Sequence, residues 1–261
     1  MRLFFAVGKF FKEVFLKLGR SFFFLQDTVY WLFKSKLEKE EVLKQMKRVG
    51  VESFPVCILT SLFTGMVLAL QSGLSSKSIF NDPLYVGTLV AFSMVLELGP
   101  VLTSIVVAGR VGAAFTAEIG TMKVTEQIDA LYTLGVNPFS YLAVPRLIAS
   151  CLMLPLLVIF SDIIGILGGY FVSIVKLGIP GKIYFDDVTR YLEIMDVLHG
   201  IIKTFFFALI IFWVSCFNGF YTGEGAEGVG KATTTTVVVS MILILLSDYF
   251  LGSLLISFGI G

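Results

Sequence analysis

Five runs of mostly apolar residues, at about 53–71, 85–116, 147–175, 203–221 and 235–258, leave this chain little choice of fold. Each is near the ~20 apolar residues that a helix needs to cross the hydrocarbon core of a bilayer. Inside that core every backbone N–H and C=O must find an internal partner, so only helices and closed barrels span it. Barrel strands alternate apolar and polar residues over ~10 positions, whereas these runs are continuous. At 56% hydrophobic and 15% charged residues, the chain lacks the polar surface of an ordinary globular domain. The expected fold is an all-α integral membrane protein with an N-terminal interfacial amphipathic helix, five transmembrane helices and a cytosolic helix between the second and third. Residues 1–50 are expected to form the interfacial and cytosolic region, and 51–261 the membrane domain.

Charge placement predicts the orientation. Residues 1–50 hold 11 of the 20 basic residues, and Lys123, Arg146 and Lys231 bring that side to 14. Lys77, Lys176, Lys182, Arg190 and Lys203 make five on the other side, with Arg110 inside the second span. By the positive-inside rule the N-terminus is cytoplasmic, and five crossings put the C-terminus outside.

Residues 3–23 place Leu3, Phe4, Val7, Phe10, Phe11, Val14, Phe15, Leu18 and Phe22 at helical spacing, opposite Lys9, Lys12, Glu13, Lys17 and Arg20. Such a helix suits the membrane interface, with its phenylalanines among acyl chains and its lysines among anionic headgroups. Packing of the same face on the bundle is the alternative. A signal peptide is not expected, because charges interrupt each apolar stretch and no small-residue cleavage site follows. Residues 34–48 are charge-dense, with Glu40 and Lys44 four apart, and predict a solvated helix. Residues 72–83 predict an outer hairpin loop.

The second span is the most informative. Entering at Tyr85, it carries Glu97 about 18 Å along its axis, where a carboxylate costs roughly 2.5–3.5 kcal/mol unless it faces a cavity or partner. Gly99-Pro100 follows, and proline removes a backbone hydrogen bond and kinks the helix. The combination predicts a bent helix with an acid at the bend; a structural Glu satisfied by a neighbouring helix is the alternative. Farther on, Ala108, Gly109, Gly112 and Ala113 form overlapping small-xxx-small pairs that admit another helix closely. Arg110 among them is expected to snorkel or to pair with Glu118. Thr125 then caps a helix of about ten residues, with Glu126 in its first turn and Val124, Ile128, Leu131 and Leu134 on one face. Gly135 and Asn137-Pro138 end it.

Asp162 and Asp248 are further intramembrane acids, and Asp248 should find a polar partner. Residues 176–202 predict a solvated or interfacial outer loop containing His199, with Lys203 opening the fourth span. Cys57, Cys151 and Cys216 lie in apolar spans without CxxC spacing, and His199 is the sole histidine, so buried thiols and no metal site are expected. Gly223, Gly225 and Gly228 have GxGxxG spacing, and Gly225 to Lys231 the GxxxxGK spacing. Neither sits in a strand–helix unit, and Ala232 stands where a phosphate loop needs Ser or Thr. A glycine-rich turn is expected there.

The runs ELGPVLTSIVVAGRVGAAFTAEIGTMKVTEQIDALYTLGVNPFSYLAVPRLIA (97–149) and FNGFYTGEGAEGVGKATTTTVV (217–238), with GMVLALQ (65–71), closely resemble the MlaE (YrbE-type) permeases. The resemblance covers about residues 50–258. It implies the membrane subunit of a bacterial ABC transporter that moves phospholipids between inner and outer membranes. The implied location is the inner membrane, with the C-terminus periplasmic. The implied assembly is a homodimer with two ABC ATPase subunits, a periplasmic MCE-domain assembly and a STAS-domain protein, without nucleic acid. It implies no cofactor in this chain and no catalysis by it, ATP and Mg being bound by the partner ATPase.

By the same resemblance Glu97, Leu98, Lys203 and Phe80 are the lipid-binding positions. Leu96 replaces an arginine of some members, which removes positive charge from the headgroup region. Asp129-Ala130-Leu131 with Gly135 resembles the loop by which ABC permeases dock an ATPase, so Glu126, Ile128, Asp129, Leu131 and Gly135 are the expected coupling residues. Ala108, Gly109, Gly112 and Ala113 are the expected dimer or helix packing face. A scaffold anchoring the MCE assembly and an intramembrane lipid-modifying enzyme are the rival readings.

Overall fold

The computed structural model describes residues 2–34, 38–80 and 85–259, and side chains at 12, 15, 16, 18–34, 38–77 and 85–259. Eight helices and no strands occur among the described residues. They are α1 (Arg2–Lys34), α2 (Lys39–Lys77, helical on to Phe80), α3 (Val86–Val124), α4 (Gln127–Thr133), α5 (Phe139–Val175), α6 (Gly181–Tyr191), α7 (Ile194–Phe220) and α8 (Gly225–Ser257). Five of them, α2, α3, α5, α7 and α8, are long and apolar enough to cross a membrane. At 27 to 39 residues they exceed the apolar runs that reveal them, because a helix continues into polar flanks as long as nothing breaks its hydrogen-bond ladder.

Several expectations change for that reason. Residues 72–80 continue α2 instead of forming a hairpin loop. The charged stretch before the first span leads straight into it, so the boundary at residues 50 and 51 falls inside α2. Gln45 there is buried, and Lys44 pairs with Glu41 at 3.4 Å rather than with Glu40. His199 lies buried within α7, not in a loop, and Lys203 stands nine residues into that helix, not at its end.

Four wide turns with i→i+5 character interrupt the long helices, at Lys47–Val51, Ser93–Leu98, Ala108–Gly112 and Phe139–Ala143. Three of them precede Pro55, Pro100 and Pro145. A proline ring collides with the carbonyl four residues back, and widening the preceding turn relieves that collision.

Glycine sets the closest helix crossing. A Cβ on Gly65 of α2 would strike the Gly165 carbonyl of α5, and one on Gly168 would strike the Leu62 carbonyl. The small-residue run of α3 is less crowded. Ala108 and Gly112 are buried against the chain's own core, and a Cβ on Gly112 would meet Ile211, Thr236 and Ser215 at an ordinary 3.5–3.9 Å. Thr116 reinforces this crossing, its hydroxyl lying 2.9 Å from both the Ser215 carbonyl and the Thr236 hydroxyl.

α1 is held against α7. Phe24 is buried among Phe139, Phe212, Phe217 and Phe220, and Trp213 Nε1 donates to Ser21 Oγ at 2.8 Å. Phe15, Leu18 and Phe22 of the anticipated apolar face are exposed, while the side chains of residues 3–11, Glu13, Val14 and Lys17 lie outside the described residues. The connection between α5 and α7 contains α6, whose Tyr184 is buried and donates to the Ile166 carbonyl at 3.0 Å.

Candidate functional site: a buried lysine between two carboxylates

Pro100 has no N–H to offer the Leu96 carbonyl four residues before it, and the wide turn at Ser93–Leu98 opens the helix there. Lys203, from α7, fills that gap: its ammonium donates to Leu96 O at 3.1 Å. The same nitrogen lies 3.0 Å from Glu97 Oε2 and 2.6 Å from Asp248 Oδ1, the latter an ion pair without aligned hydrogen-bond geometry. Three spans, α3, α7 and α8, therefore meet on one cation. An ammonium carries three N–H groups, and three oxygens surround this one.

Exposure differs sharply across the cluster. The Lys203 side chain is wholly buried, Asp248 is 18% exposed and Glu97 is 53% exposed. Gly252, one turn beyond Asp248, leaves bare backbone beside the pair; a Cβ there would sit 3.7 Å from Lys203 Nζ and 3.8 Å from Glu97 Oε1. The arrangement anchors Glu97 on its inner side and leaves its outer side open. With two acids to one base, the open side favours a hydrogen-bond donor or cation over a phosphate.

Of the anticipated lipid-binding positions, the structure brings Glu97 and Lys203 together. Leu98 is half-buried and packs with Met66 and Leu68 against Ala69, Val90 and Met94. Phe80 ends the α2 backbone, and its side chain lies outside the described residues. Asp248 is the member that sequence reasoning left without a partner. The available signal was complementarity: one lysine in the fourth span and one aspartate in the fifth, each needing an opposite charge.

A second polar cluster ties α2, α3 and α5. Glu118 lies 2.5 Å from Arg48 and 2.7 Å from Arg146, and Arg146 also donates to the Leu142 carbonyl at 2.7 Å. Arg110 instead takes Glu52 at 3.1 Å and Ser53 Oγ at 2.9 Å, so the expected Arg110–Glu118 pair does not form. Asp162 is buried against Gly99, and its Oδ1 has no hydrogen-bond partner among the described residues.

α4 is shorter than anticipated. Thr125 donates to Thr121 O at 2.8 Å rather than capping, and Glu126 takes a left-handed φ of 60° before the helix starts. Its end follows the sequence. Gly135 has φ +75°, with Gly135 N–H donating to Tyr132 O and Val136 N–H to Leu131 O, both at 3.0 Å, the paired bonds of a Schellman stop. Ile128 is buried and Leu131 half-buried, while Glu126, Asp129 and Gly135 are exposed. Partial burial, with the charge of nearby Asp27, raises the Tyr132 hydroxyl pKa and keeps that phenol neutral.

A family model described as Permease MlaE matches residues 42–254. The chain belongs to the MlaE permease family. A probable ABC transporter permease of Rickettsia typhi is 47% identical over 86% of this MlaE permease and 86% of its own length. One of Synechocystis sp. is 39% identical over 92% and 91%. The intermembrane phospholipid transport system permease protein MlaE of Haemophilus influenzae is 37% identical over 98% and 97%. An MlaE permease is a transporter subunit and not an enzyme, which removes the lipid-modifying rival. The glycine-spaced loop is accounted for structurally: Gly225 has φ +70°, and a Cβ on Gly228 would strike the Gly223 backbone.

Proposed function

We propose that this MlaE permease moves phospholipids between inner and outer membranes as one half of a homodimer. The lipid occupies a cavity that Glu97 lines from each copy. The observation that carries this reading is the half-exposed Glu97 carboxylate, held in a membrane span by a wholly buried lysine. An acid left open within a membrane span has a use outside the fold. Lys203 positions Glu97, and apolar side chains including Leu98 and Phe80 hold acyl tails.

In this reading the N-terminus is cytoplasmic, α1 lies in the inner interface and the C-terminus is periplasmic, facing an MCE-domain assembly. Two ATPase subunits, one carrying a STAS-domain protein, bind ATP and Mg. They grip α4 through Glu126, Asp129 and Leu131, while Ile128 ties α4 to the bundle and Gly135 ends it. Copies meet across the half-buried positions Gly109 and Ala113, while Ala108 and Gly112 serve the chain's own helix packing.

Glu97→Ala and Glu97→Lys, assembled normally with the ATPase, should lower lipid transfer and bound lipid about tenfold, as for one charge-assisted contact. Wild-type transfer and occupancy in both would remove the cavity role. Leu131→Asp should abolish ATPase co-purification while the permease still inserts; intact association would reject α4 as the docking element. Transfer that proceeds equally without ATP would favour the scaffold reading.

A further inference from the structure

A cavity lies where the end of α7 meets α1 and the start of α8. It holds about 300 Å³ and is lined by Arg20, Asn218, Tyr221, Thr222, Lys231 and Thr235, with Gly223 and Gly228 forming one wall. Asn218 is 15 residues from Lys203, about 22 Å along the same helix, so this cavity is separate from the Glu97 cluster.

The charges around it differ from those that tie the spans together. Arg48, Arg110, Arg146 and Lys203 each have a carboxylate within 3.1 Å. Arg20 and Lys231 have none within ion-pair distance among the described residues, yet both border one cavity. They arrive from opposite ends of the sequence, and each is fixed by its own element. The Ser21–Trp213 hydrogen bond and buried Phe24 set the position of α1 along α7, which delivers Arg20 to the cavity. The Gly223–Gly228 backbone contact folds the start of α8 back, which brings in Lys231. Two like charges bordering one cavity, both exposed, favour an anion between them.

We propose that this cavity binds a phosphate group, the natural partner of a guanidinium fork beside an ammonium. Asn218 is already oriented, its amide donating to Thr236 Oγ1 at 2.9 Å. Phe217 and Tyr221, their rings tilted against each other with centres 4.8 Å apart, line the same cavity and give it an apolar flank suited to the glycerol region of a phospholipid. The glycine spacing that imitates a nucleotide loop thus shapes a phosphate site by a different route, as the wall of an interhelical cavity.

The full chain in phosphatidylcholine nanodiscs, with or without phosphatidylglycerol, tests this by native mass spectrometry. Inorganic phosphate serves as a separate soluble probe. The wild type should retain phosphatidylglycerol. Arg20→Gln/Lys231→Gln should retain it about thirtyfold more weakly, as expected for two basic residues at an anionic surface, and Arg20→Lys/Lys231→Arg should keep most of it. Saturable inorganic phosphate binding that displaces the lipid and is lost in the double Gln variant would assign the site to free phosphate. The proposal fails if the wild type holds neither probe, or if a double Gln variant that elutes as a single species holds both like the wild type.

Discussion

The two buried charge clusters of this permease are built from the same parts in inverse ratio. Around Lys203 one base meets two acids, and around Glu118 one acid meets two bases. Each joins three spans, and each buries one cation almost completely, Lys203 at 0% and Arg146 at 4% side-chain exposure. They differ in what is left over. Arg146 spreads its charge over Glu118, a backbone carbonyl and the Phe115 ring, whose centre lies 5.4 Å away. Glu97 reaches Lys203 with one side and opens outward with the other. Glu118, 40% exposed, is shared by two cations, whereas Glu97, 53% exposed, shares its one cation with a second acid and so has charge to spare for a binding partner.

Removing the central charge tests that contrast most severely. Lys203→Met leaves Glu97, Asp248 and the Leu96 carbonyl without their cation, and should cost about 3–5 kcal/mol in detergent unfolding experiments. Combining it with Asp248→Asn should recover part of the loss, since the cluster acts as a unit. Glu118→Gln should cost less, about 1–3 kcal/mol, because Arg48 and Glu118 are 29% and 40% exposed and water takes over part of the pairing. Equal losses for Lys203→Met and Glu118→Gln would erase the distinction. Glu97→Gln should change stability least, within about 1 kcal/mol as for an exposed pair, while lowering bound lipid. A loss as large as that of Lys203→Met would make Glu97 a structural acid instead.

Much of the architecture is legible in the order of residues. The five apolar runs announce the spans, and Gly135 with Asn137-Pro138 announces the end of α4, since a left-handed glycine and a proline act within one turn. The break before Pro100 is readable for the same reason. Thr125 misleads because a threonine hydroxyl bonds equally well to the carbonyl four residues back, and the left-handed Glu126 starts α4 later. The N-terminal helix misleads in another way. Its periodicity is real, but the residue that docks it is Phe24, chosen by the aromatic cluster of α5 and α7.

The sequence by itself determined that this chain spans a membrane five times, where its helices stop or widen, which acids must find company, and which family it resembles. These follow from local chemistry: hydrophobic length, backbone stereochemistry and the cost of a lone charge in hydrocarbon. The tertiary structure alone decided who that company is. Arg110 takes Glu52 instead of Glu118, and Lys203 gathers Glu97 and Asp248 from helices 106 and 45 residues away in the chain. Pairing between helices depends on how each is rotated about its axis and on how closely glycine lets the backbones approach. Those quantities exist only once the bundle has packed.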